Sequence, residues 1–169
     1  MPVDLFTVIE LYDRAVGSAI HILGKGAEHA AKTGVSEEEM LGWRLIGDMQ
    51  PLAFQLGVLA NFTRQWPARA ARLEVPPDAP QPSDVAGWTA VLQDAKRYIA
   101  GLSREQFQGR DDVPLTHALG NGMEPTMPTG QWLSGFVLMN IEFHLSIAYA
   151  ILRSKGVPLG KADLFAGRL

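Results

Sequence analysis

Cysteine is absent from this sequence of 169 residues. Its absence excludes disulfide bonds, cysteine nucleophiles and cysteine-ligated zinc sites. Positive charge is also scarce, since 15 basic side chains stand against 18 acidic ones and the formal net charge is −3. A protein that neutralises phosphates needs a basic surface, so this balance argues against nucleic acid as a partner.

Long hydrophobic runs are missing as well. No stretch approaches the roughly 18 consecutive apolar residues of a membrane-spanning helix. The amino-terminal segment carries Asp4, Glu10 and Asp13, whereas a secretory signal begins with basic residues and continues as a purely apolar run. We therefore expect a cytoplasmic protein that has no membrane partner.

Helical periodicity dominates what the sequence does contain. Apolar residues make up 47% and charged residues 20% of the chain, which is ordinary for a globular protein, and the length suits a single domain over residues 1–169. Apolar residues at spacings of three and four predict four long helices, over residues 3–32, 49–73, 84–100 and 129–155. Pro67 falls inside the second of these and is expected to kink it or to end its regular part.

Polar residues and glycines predict where the helices begin and end. Asp48 and Ser83 are suitable N-caps for the second and third long helices. Ser36 is followed by three glutamates, which predicts a short additional helix. Gly34 and Gly156 suit the left-handed position that ends a helix.

The period of the pattern changes between residues 112 and 127. Val113, Leu115, His117 and Leu119 follow one another at every second position, and "GNG" supplies residues that accept positive φ. This pattern predicts a β-hairpin whose His117 covers one end of the bundle. The predicted fold is therefore all-α, a four-helix bundle with a small β-hairpin before the last helix.

Two further regions are interpreted as structural. Val157, Leu159, Leu164 and Phe165 follow the last helix and predict a carboxy-terminal segment that packs back on the bundle. His21 shares its side of the first helix with charged residues, so we interpret it as solvated.

Asn140 and His144 are the most informative polar residues of the last helix. They lie one turn apart on the face that also carries Val137, Ile141 and Ala148, so both are expected to point into the bundle. A buried histidine is often satisfied by a neighbouring group and serves packing alone. Helix bundles also build their ligand and metal sites between helices, so both interpretations stay open.

Three segments resemble a family of domains of unknown function within the DinB/YfiT-like superfamily of proposed metalloenzymes. They are "RLIGDMQPLAFQ" at 44–55, "NIEFH" at 140–144 and "YAILRSKGVPLGKADLF" at 149–165. The resemblance implies a four-helix bundle, often dimeric, with a divalent metal held by one histidine of the second helix and an H-x-x-x-H pair of the last. These positions correspond here to Gln55, Asn140 and His144.

The resemblance therefore implies a degenerate metal site. His144 is the single imidazole that remains, and neutral amides bind Zn, Ni or Mn weakly. Asp48 lies on the same side as Gln55 and could add a carboxylate at the edge. A divalent metal at this site would be held weakly, with His144 as its main ligand.

Two functional hypotheses follow, and the sequence does not decide whether the protein is an enzyme. In the first, Asp48, Gln55, Asn140 and His144 line a pocket for a small polar molecule, in a relative of metal-dependent hydrolases or transferases. In the second, the protein is a non-catalytic homodimer whose buried polar residues only specify packing. A cavity beside His144 would favour the first hypothesis, and direct hydrogen bonding without a cavity would favour the second.

Overall fold

A computed structural model describes residues 4–166 of the chain. Four main helices form the bundle, and a two-stranded hairpin precedes the last of them. The elements before the hairpin are α1 (Leu5–Thr33), α2 (Glu37–Leu41), α3 (Leu52–Ala71), α4 (Val85–Ala100) and a 3-10 turn (Arg104–Phe107). The hairpin consists of β1 (Pro114–Thr116) and β2 (Thr126–Pro128). The last helix comprises α5 (Thr129–Gln131), a π segment (Trp132–Val137) and α6 (Leu138–Ser154), and a final 3-10 turn (Lys161–Phe165) follows it.

The first helix has the buried face that its periodicity predicts. It ends at Thr33, one residue beyond the predicted end, and its predicted start at residue 3 lies outside the described residues. The Asp4 carboxylate accepts a hydrogen bond from the Thr7 backbone N–H at 2.9 Å and so caps the amino terminus. Gly34 ends the helix with φ of 73°, a conformation that costs a glycine little. Its buried stripe includes Leu5, Ile9, Tyr12, Val16, Ala19 and Leu23.

The start of α3 differs from the prediction, because Asp48 is not its N-cap. The helix begins at Leu52, and Pro51 occupies the cap position with extended backbone and no side-chain cap. A residue before proline is driven away from helical backbone, so the helix cannot extend back through Gln50. Asp48 lies instead in an exposed turn before the helix.

The remaining helix boundaries bear on two further expectations. Pro67 is buried inside α3, and the helix continues beyond it to Ala71, so Pro67 does not end the helix and the expected kink stays a prediction. Asp84, not Ser83, caps α4, because its carboxylate accepts the Gly87 N–H at 2.7 Å. The predicted inward face of α4 is confirmed, and its buried residues are Trp88, Val91, Leu92, Ala95 and Ile99.

The predicted hairpin is present and is fastened to the last helix. Leu115 pairs with Met127 in an antiparallel register, and the Leu115 carbonyl accepts a hydrogen bond from the Trp132 indole N–H at 2.8 Å. The His117 ring packs edge-on against Trp66, with ring centroids 4.8 Å apart. The hairpin therefore covers one end of the bundle, as its apolar alternation predicts.

The π segment of the last helix has no counterpart in the sequence analysis. A π-turn bonds residues five apart, so it displaces carbonyls from their usual helical partners. The Leu133 carbonyl accepts a hydrogen bond from the buried Tyr12 hydroxyl at 2.5 Å. Burial raises the pKa of Tyr12 well above its ordinary value, so this hydroxyl remains a donor at neutral pH.

The last helix is also apolar enough to be compared with membrane spans. Thr129–Ser154 is the one helix of the described residues 4–166 that is long and apolar enough to cross a bilayer, with a mean hydropathy of 1.5. Core helices pass the same test. Here the helix packs against α1 and α3, but only 33% of its apolar window is buried inside the protein.

The carboxy-terminal segment is held by a polar cluster around Asp163. The Asp163 carboxylate accepts the Gly160 backbone N–H at 2.7 Å and contacts His21 at 2.7 Å and Lys25 at 3.1 Å. His21 is exposed, as its interpretation as a solvated residue predicts, and it also pairs with Asp163. Val157 and Leu159 are buried as expected.

The tip of this segment departs from the prediction that all four of its apolar residues pack on the bundle. Phe165 remains 46% exposed, so its ring is only partly covered. Leu164 is partly buried against the core. The segment docks mainly through Val157 and Leu159.

Replacing Asp163 by asparagine is expected to lower the melting temperature at pH 7. The hydrogen bond from Gly160 and the contacts with His21 and Lys25 hold the pKa of Asp163 far below its ordinary range. Such a carboxylate stabilises the folded state fully above its unfolded pKa of about 3.9, and this stabilisation is lost as the pH falls through the folded pKa. The difference between wild type and Asp163→Asn should therefore shrink below about pH 4. Asp48→Asn is the matched control, and an equal effect of both variants would contradict the role of the cluster.

Candidate functional site

Gln55 and His144 come together from two different helices. Gln55 lies in the first turn of α3 and is 3% exposed, whereas His144 lies on α6 and is half-buried. The His144 Nδ1 atom is 2.7 Å from the Gln55 Oε1 atom. The Gln55 Nε2 group donates a second hydrogen bond, to the Gln50 carbonyl at 3.0 Å. The amide is thus held at both of its ends.

These two hydrogen bonds determine the tautomer of the imidazole. A backbone carbonyl only accepts, so the amide NH2 of Gln55 must face Gln50 and its oxygen must face the ring. The His144 Nδ1 atom therefore carries the proton, and Nε2 carries the lone pair. Burial lowers the pKa of His144, which favours the neutral ring at neutral pH. Within residues 4–166, Nε2 has no hydrogen-bond partner.

Asn140 does not join this pair. Its Nδ2 group donates to the Phe136 carbonyl of the π segment at 2.7 Å, a local bond to the preceding turn of the same helix. The side chain is half-buried, so the expected inward orientation is only partly realised. Because one amide N–H serves the backbone, Asn140 has its oxygen and its second N–H left for a ligand.

Asp48 is also separate from the pair. It lies in the exposed turn that leads to α3, where the Arg44 guanidinium donates to the Met49 carbonyl at 2.6 Å. Of the four residues assigned to a ligand site by the sequence, the structure joins Gln55 and His144 by a hydrogen bond. The assignment of a ligand to them stays a prediction.

Two exposed phenyl rings contact the imidazole, and the sequence analysis missed them. The rings of Phe54 and Phe143 contact His144 edge-on, with centroids 6.1 and 5.2 Å away. Phe54 is 42% exposed, Phe143 is 55% exposed and Met139 is 71% exposed. Met139 and Phe143 are four residues apart and share one side of α6. We call the surface of Phe54, Met139, Phe143 and His144 the His144 face.

A signal for this face was present in the sequence. Helical periodicity identifies one inward stripe of the last helix. Apolar residues of the same helix that lie outside this stripe indicate a second apolar side. A helix that is apolar on more than one side is either wholly buried or carries a surface of its own. Met139 and Phe143 mark that second side.

Four cavities of the described structure have volumes between about 310 and 640 Å³. None of these four is lined by Gln55, Asn140 or His144. The two central side chains are in direct contact instead, which is the arrangement expected of a packing role.

The donor set does not fit a transition-metal site. Within residues 4–166, no group of three or more histidine, aspartate, glutamate or cysteine side chains is placed to hold a metal ion. The Gln55 oxygen accepts the Nδ1 proton, so His144 Nε2 and the Asn140 oxygen are the donors that remain. Zinc and nickel sites use several imidazole, thiolate or carboxylate ligands, and one imidazole with one amide does not supply them.

Comparisons with known proteins agree with the geometry of the bundle. The model of DUF1993, a domain of unknown function, matches residues 6–165. The chain belongs to the DUF1993 family. A crystal structure of a DinB family member protein from Shewanella denitrificans is similar, with a TM-score of 0.85 and 21% sequence identity, over 95% of this chain and 90% of that chain. No match is found among curated proteins.

These findings confirm the resemblance and the fold. A DUF1993 chain with a DinB-like bundle is what the three quoted segments indicated. At 21% identity the crystal structure shows a shared fold alone, since one fold hosts many functions. The residues of this DUF1993 chain must therefore carry the functional argument.

Replacing Gln55 by alanine is expected to destabilise the protein by about 1–3 kcal/mol, because a half-buried Nδ1–H loses its acceptor. The His144 tautomer should also shift toward Nε2–H, which nitrogen chemical shifts report by NMR. Gln50→Ala is the matched control, since Gln50 contributes only its backbone carbonyl to the pair. A wild-type imidazole protonated at Nε2 would contradict the assignment.

Proposed function

We propose that this DUF1993 protein is a homodimeric interaction protein whose two copies meet through the His144 face. The observation that supports the proposal is the pair of exposed phenyl rings, Phe54 and Phe143, in contact with a neutral imidazole, extended by the exposed Met139 one turn before Phe143. Exposed apolar clusters on one side of a protein mark interaction sites, and aromatic residues and methionine are enriched at the centres of interfaces.

The electrostatics of the His144 face suit burial by a second copy. The four side chains that define it carry no charge when the imidazole is neutral, and burial already lowers the pKa of His144. Burying a neutral ring costs far less than burying an imidazolium. In a two-fold dimer the same surface serves both copies, so an apolar, uncharged patch is self-complementary.

In this proposal the Gln55–His144 hydrogen bond orients the imidazole and holds the amino-terminal turn of α3 against α6. It also satisfies the His144 Nδ1–H and the Gln55 amide oxygen, which an apolar interface would otherwise leave unpaired. The bond thus holds α3 against α6 and fixes the orientation of the imidazole at the interface. This role needs no metal and no chemical step.

Placing a charge on the His144 face is expected to produce monomers. Met139→Glu should shift sedimentation from dimer to monomer over roughly 1–100 µM, the range in which weak homodimers dissociate. Met123→Glu is the matched control, because Met123 is 56% exposed but lies at the hairpin tip. A wild-type monomer throughout this range would refute the proposal, as would equal dissociation of the two variants.

A second candidate function is the binding of a small polar molecule at the Nε2 atom of His144. The observation that favours it is the lone pair of an imidazole held in one tautomer by Gln55. The same arrangement orients histidines as hydrogen-bond acceptors and general bases in other proteins. A ligand with a hydroxyl or amide N–H between the two phenyl rings would complete the bonding of the ring.

Ligand-induced stabilisation separates the two candidates. A ligand of the native state raises the melting temperature, so a molecule bound at Nε2 must stabilise wild type and lose this effect in His144→Ala. His117→Ala is the control for a half-buried histidine elsewhere. For Zn, Ni and Mn we expect equal shifts in wild type and His144→Ala. A stabilisation by any of these metals that depends on His144 would overturn our account of the donor set.

A further inference from the structure

A groove lies where α3 and α4 meet the proline-rich connector that joins them, residues 72–84. Its volume is about 310 Å³, at the lower end of the range of small-molecule sites. Small and apolar residues of the connector and of α4 form most of its wall, namely Ala79, Pro80, Pro82, Gly87, Ala90 and Val91. We call it the α3–α4 groove. No residue of the His144 face lines it.

Side chains of α3 hold the connector in place. The Asn61 Oδ1 atom accepts the Ala79 backbone N–H at 2.7 Å. The Gln65 Nε2 group donates to the Asp78 carboxylate at 2.8 Å. Proline rings restrict the backbone of the connector further. The wall is therefore formed before any ligand arrives, and a preformed site loses little conformational entropy on binding.

Arg64 supplies a positive charge at a fixed place in the groove. Its side chain is only 9% exposed. Its Nε and Nη2 groups donate to the Ala60 carbonyl at 3.3 Å and to the Pro77 carbonyl at 3.0 Å, and these bonds hold the guanidinium. Its Nη1 group faces Asp94, but the distance to the Asp94 Oδ2 atom is 3.6 Å, longer than a hydrogen bond. Within residues 4–166, Nη1 makes no hydrogen bond, so one donor of a buried cation is left unused.

The other two charges of the groove lie in water. Asp94 is 56% exposed and Arg97 is 68% exposed. The Arg97 Nη2 group donates to the Asp94 Oδ1 atom at 3.3 Å, so one exposed carboxylate is shared by two guanidinium groups. Exposed and loosely held ion pairs contribute little free energy. The geometry thus leaves the groove with an excess cation on its buried side and a carboxylate that a stronger acceptor can displace.

We propose that the α3–α4 groove binds a small organic acid, whose carboxylate accepts hydrogen bonds from Arg64 Nη1 and from Arg97 while its apolar body lies against the connector and Val91. A guanidinium is the group best shaped to bind a carboxylate, and hydrogen bonds between ionised partners are stronger than neutral ones. An apolar body releases water from the wall. The excess cation and the apolar wall together define the ligand class.

An amine of the same shape is the weaker ligand. Its ammonium group would have to reach Asp94, whose two oxygens already contact Arg64 and Arg97. It would also approach two guanidinium groups of like charge, which opposes binding. No other carboxylate lines the groove among the described residues 4–166. The arrangement therefore favours an acid.

Three probes of matched shape test the proposal on the full-length protein at pH 7. They are phenylacetate, 2-phenylacetamide and 2-phenylethylamine, which present an anionic, a neutral and a cationic head. Calorimetric titration is expected to show phenylacetate binding at least about tenfold more tightly than either of the others, as for a charge-assisted contact. Equal or weaker binding of phenylacetate would refute the proposal, as would no binding by any probe. Inorganic phosphate lacks the apolar body, and if it bound as tightly as phenylacetate it would contradict the role of the wall.

Replacing Asp94 by asparagine is expected to tighten the binding of phenylacetate, because it removes the carboxylate that competes for the two arginines. The gain should be roughly two- to fivefold, the range of an exposed ion pair. Asp111→Asn is the matched control, since it removes the same charge from an exposed residue that does not line the groove. Unchanged or weaker binding in Asp94→Asn, or an equal gain in Asp111→Asn, would overturn the assignment.

The arginine variants locate the contact. Arg97→Gln should weaken phenylacetate binding, and Arg64→Lys should weaken it further because lysine keeps the charge but loses the planar fork. A variant that binds like wild type, with a wild-type melting curve, would place the acid elsewhere. Should Arg64→Lys fail to fold, NMR on the wild type decides: phenylacetate must shift the amide signals of Ala79 and Val91. Unshifted signals at these two residues would refute the site.

The groove is independent of the proposed dimer. Met139→Glu, which disrupts the His144 face, should leave phenylacetate binding unchanged because Met139 does not line the groove. Loss of binding in Met139→Glu, with the fold intact, would refute a groove site that belongs to one copy.

Discussion

The packing of the last helix against α1 and α3 organises the molecule, because that helix buries one stripe and leaves its other sides for different tasks. Leu133, Val137, Ile141 and Ile151 are fully buried and form the stripe. On one side of the stripe His144 hydrogen-bonds Gln55 of α3, and on the other side Glu142 lines a groove beside α1. Tyr12 supports the start of the helix where the π segment displaces a carbonyl.

The Gln55–His144 hydrogen bond is the polar counterpart of this apolar packing. It ties the first turn of α3 to the middle of α6 and selects a single tautomer of the imidazole. The side chain that meets His144 from α3 is the amide of Gln55. The DinB family structure shares the fold at 21% identity, and a shared fold does not decide the chemistry of this position.

Local pattern predicted the helices better than their ends. The stripe of α1 and the inward face of α4 follow from periodicity, which each segment carries by itself. Asp48 and Ser83 are good capping residues by type, yet Pro51 and Asp84 occupy the cap positions. The backbone restriction before Pro51 outweighs the capping preference of Asp48, and both effects are local, so this boundary could have been predicted.

The sequence by itself determined the four-helix order, the hairpin and the family resemblance, because periodicity, turn residues and motifs are written along the chain. Only the tertiary structure decided that Gln55 meets His144 while Asn140 bonds its own helix. It also decided that His21 meets Asp163 and that Phe54 joins Phe143 beside the imidazole. Each of these contacts joins residues far apart in the chain or depends on the π segment, and side-chain partners of that kind depend on how the helices rotate and pack against one another.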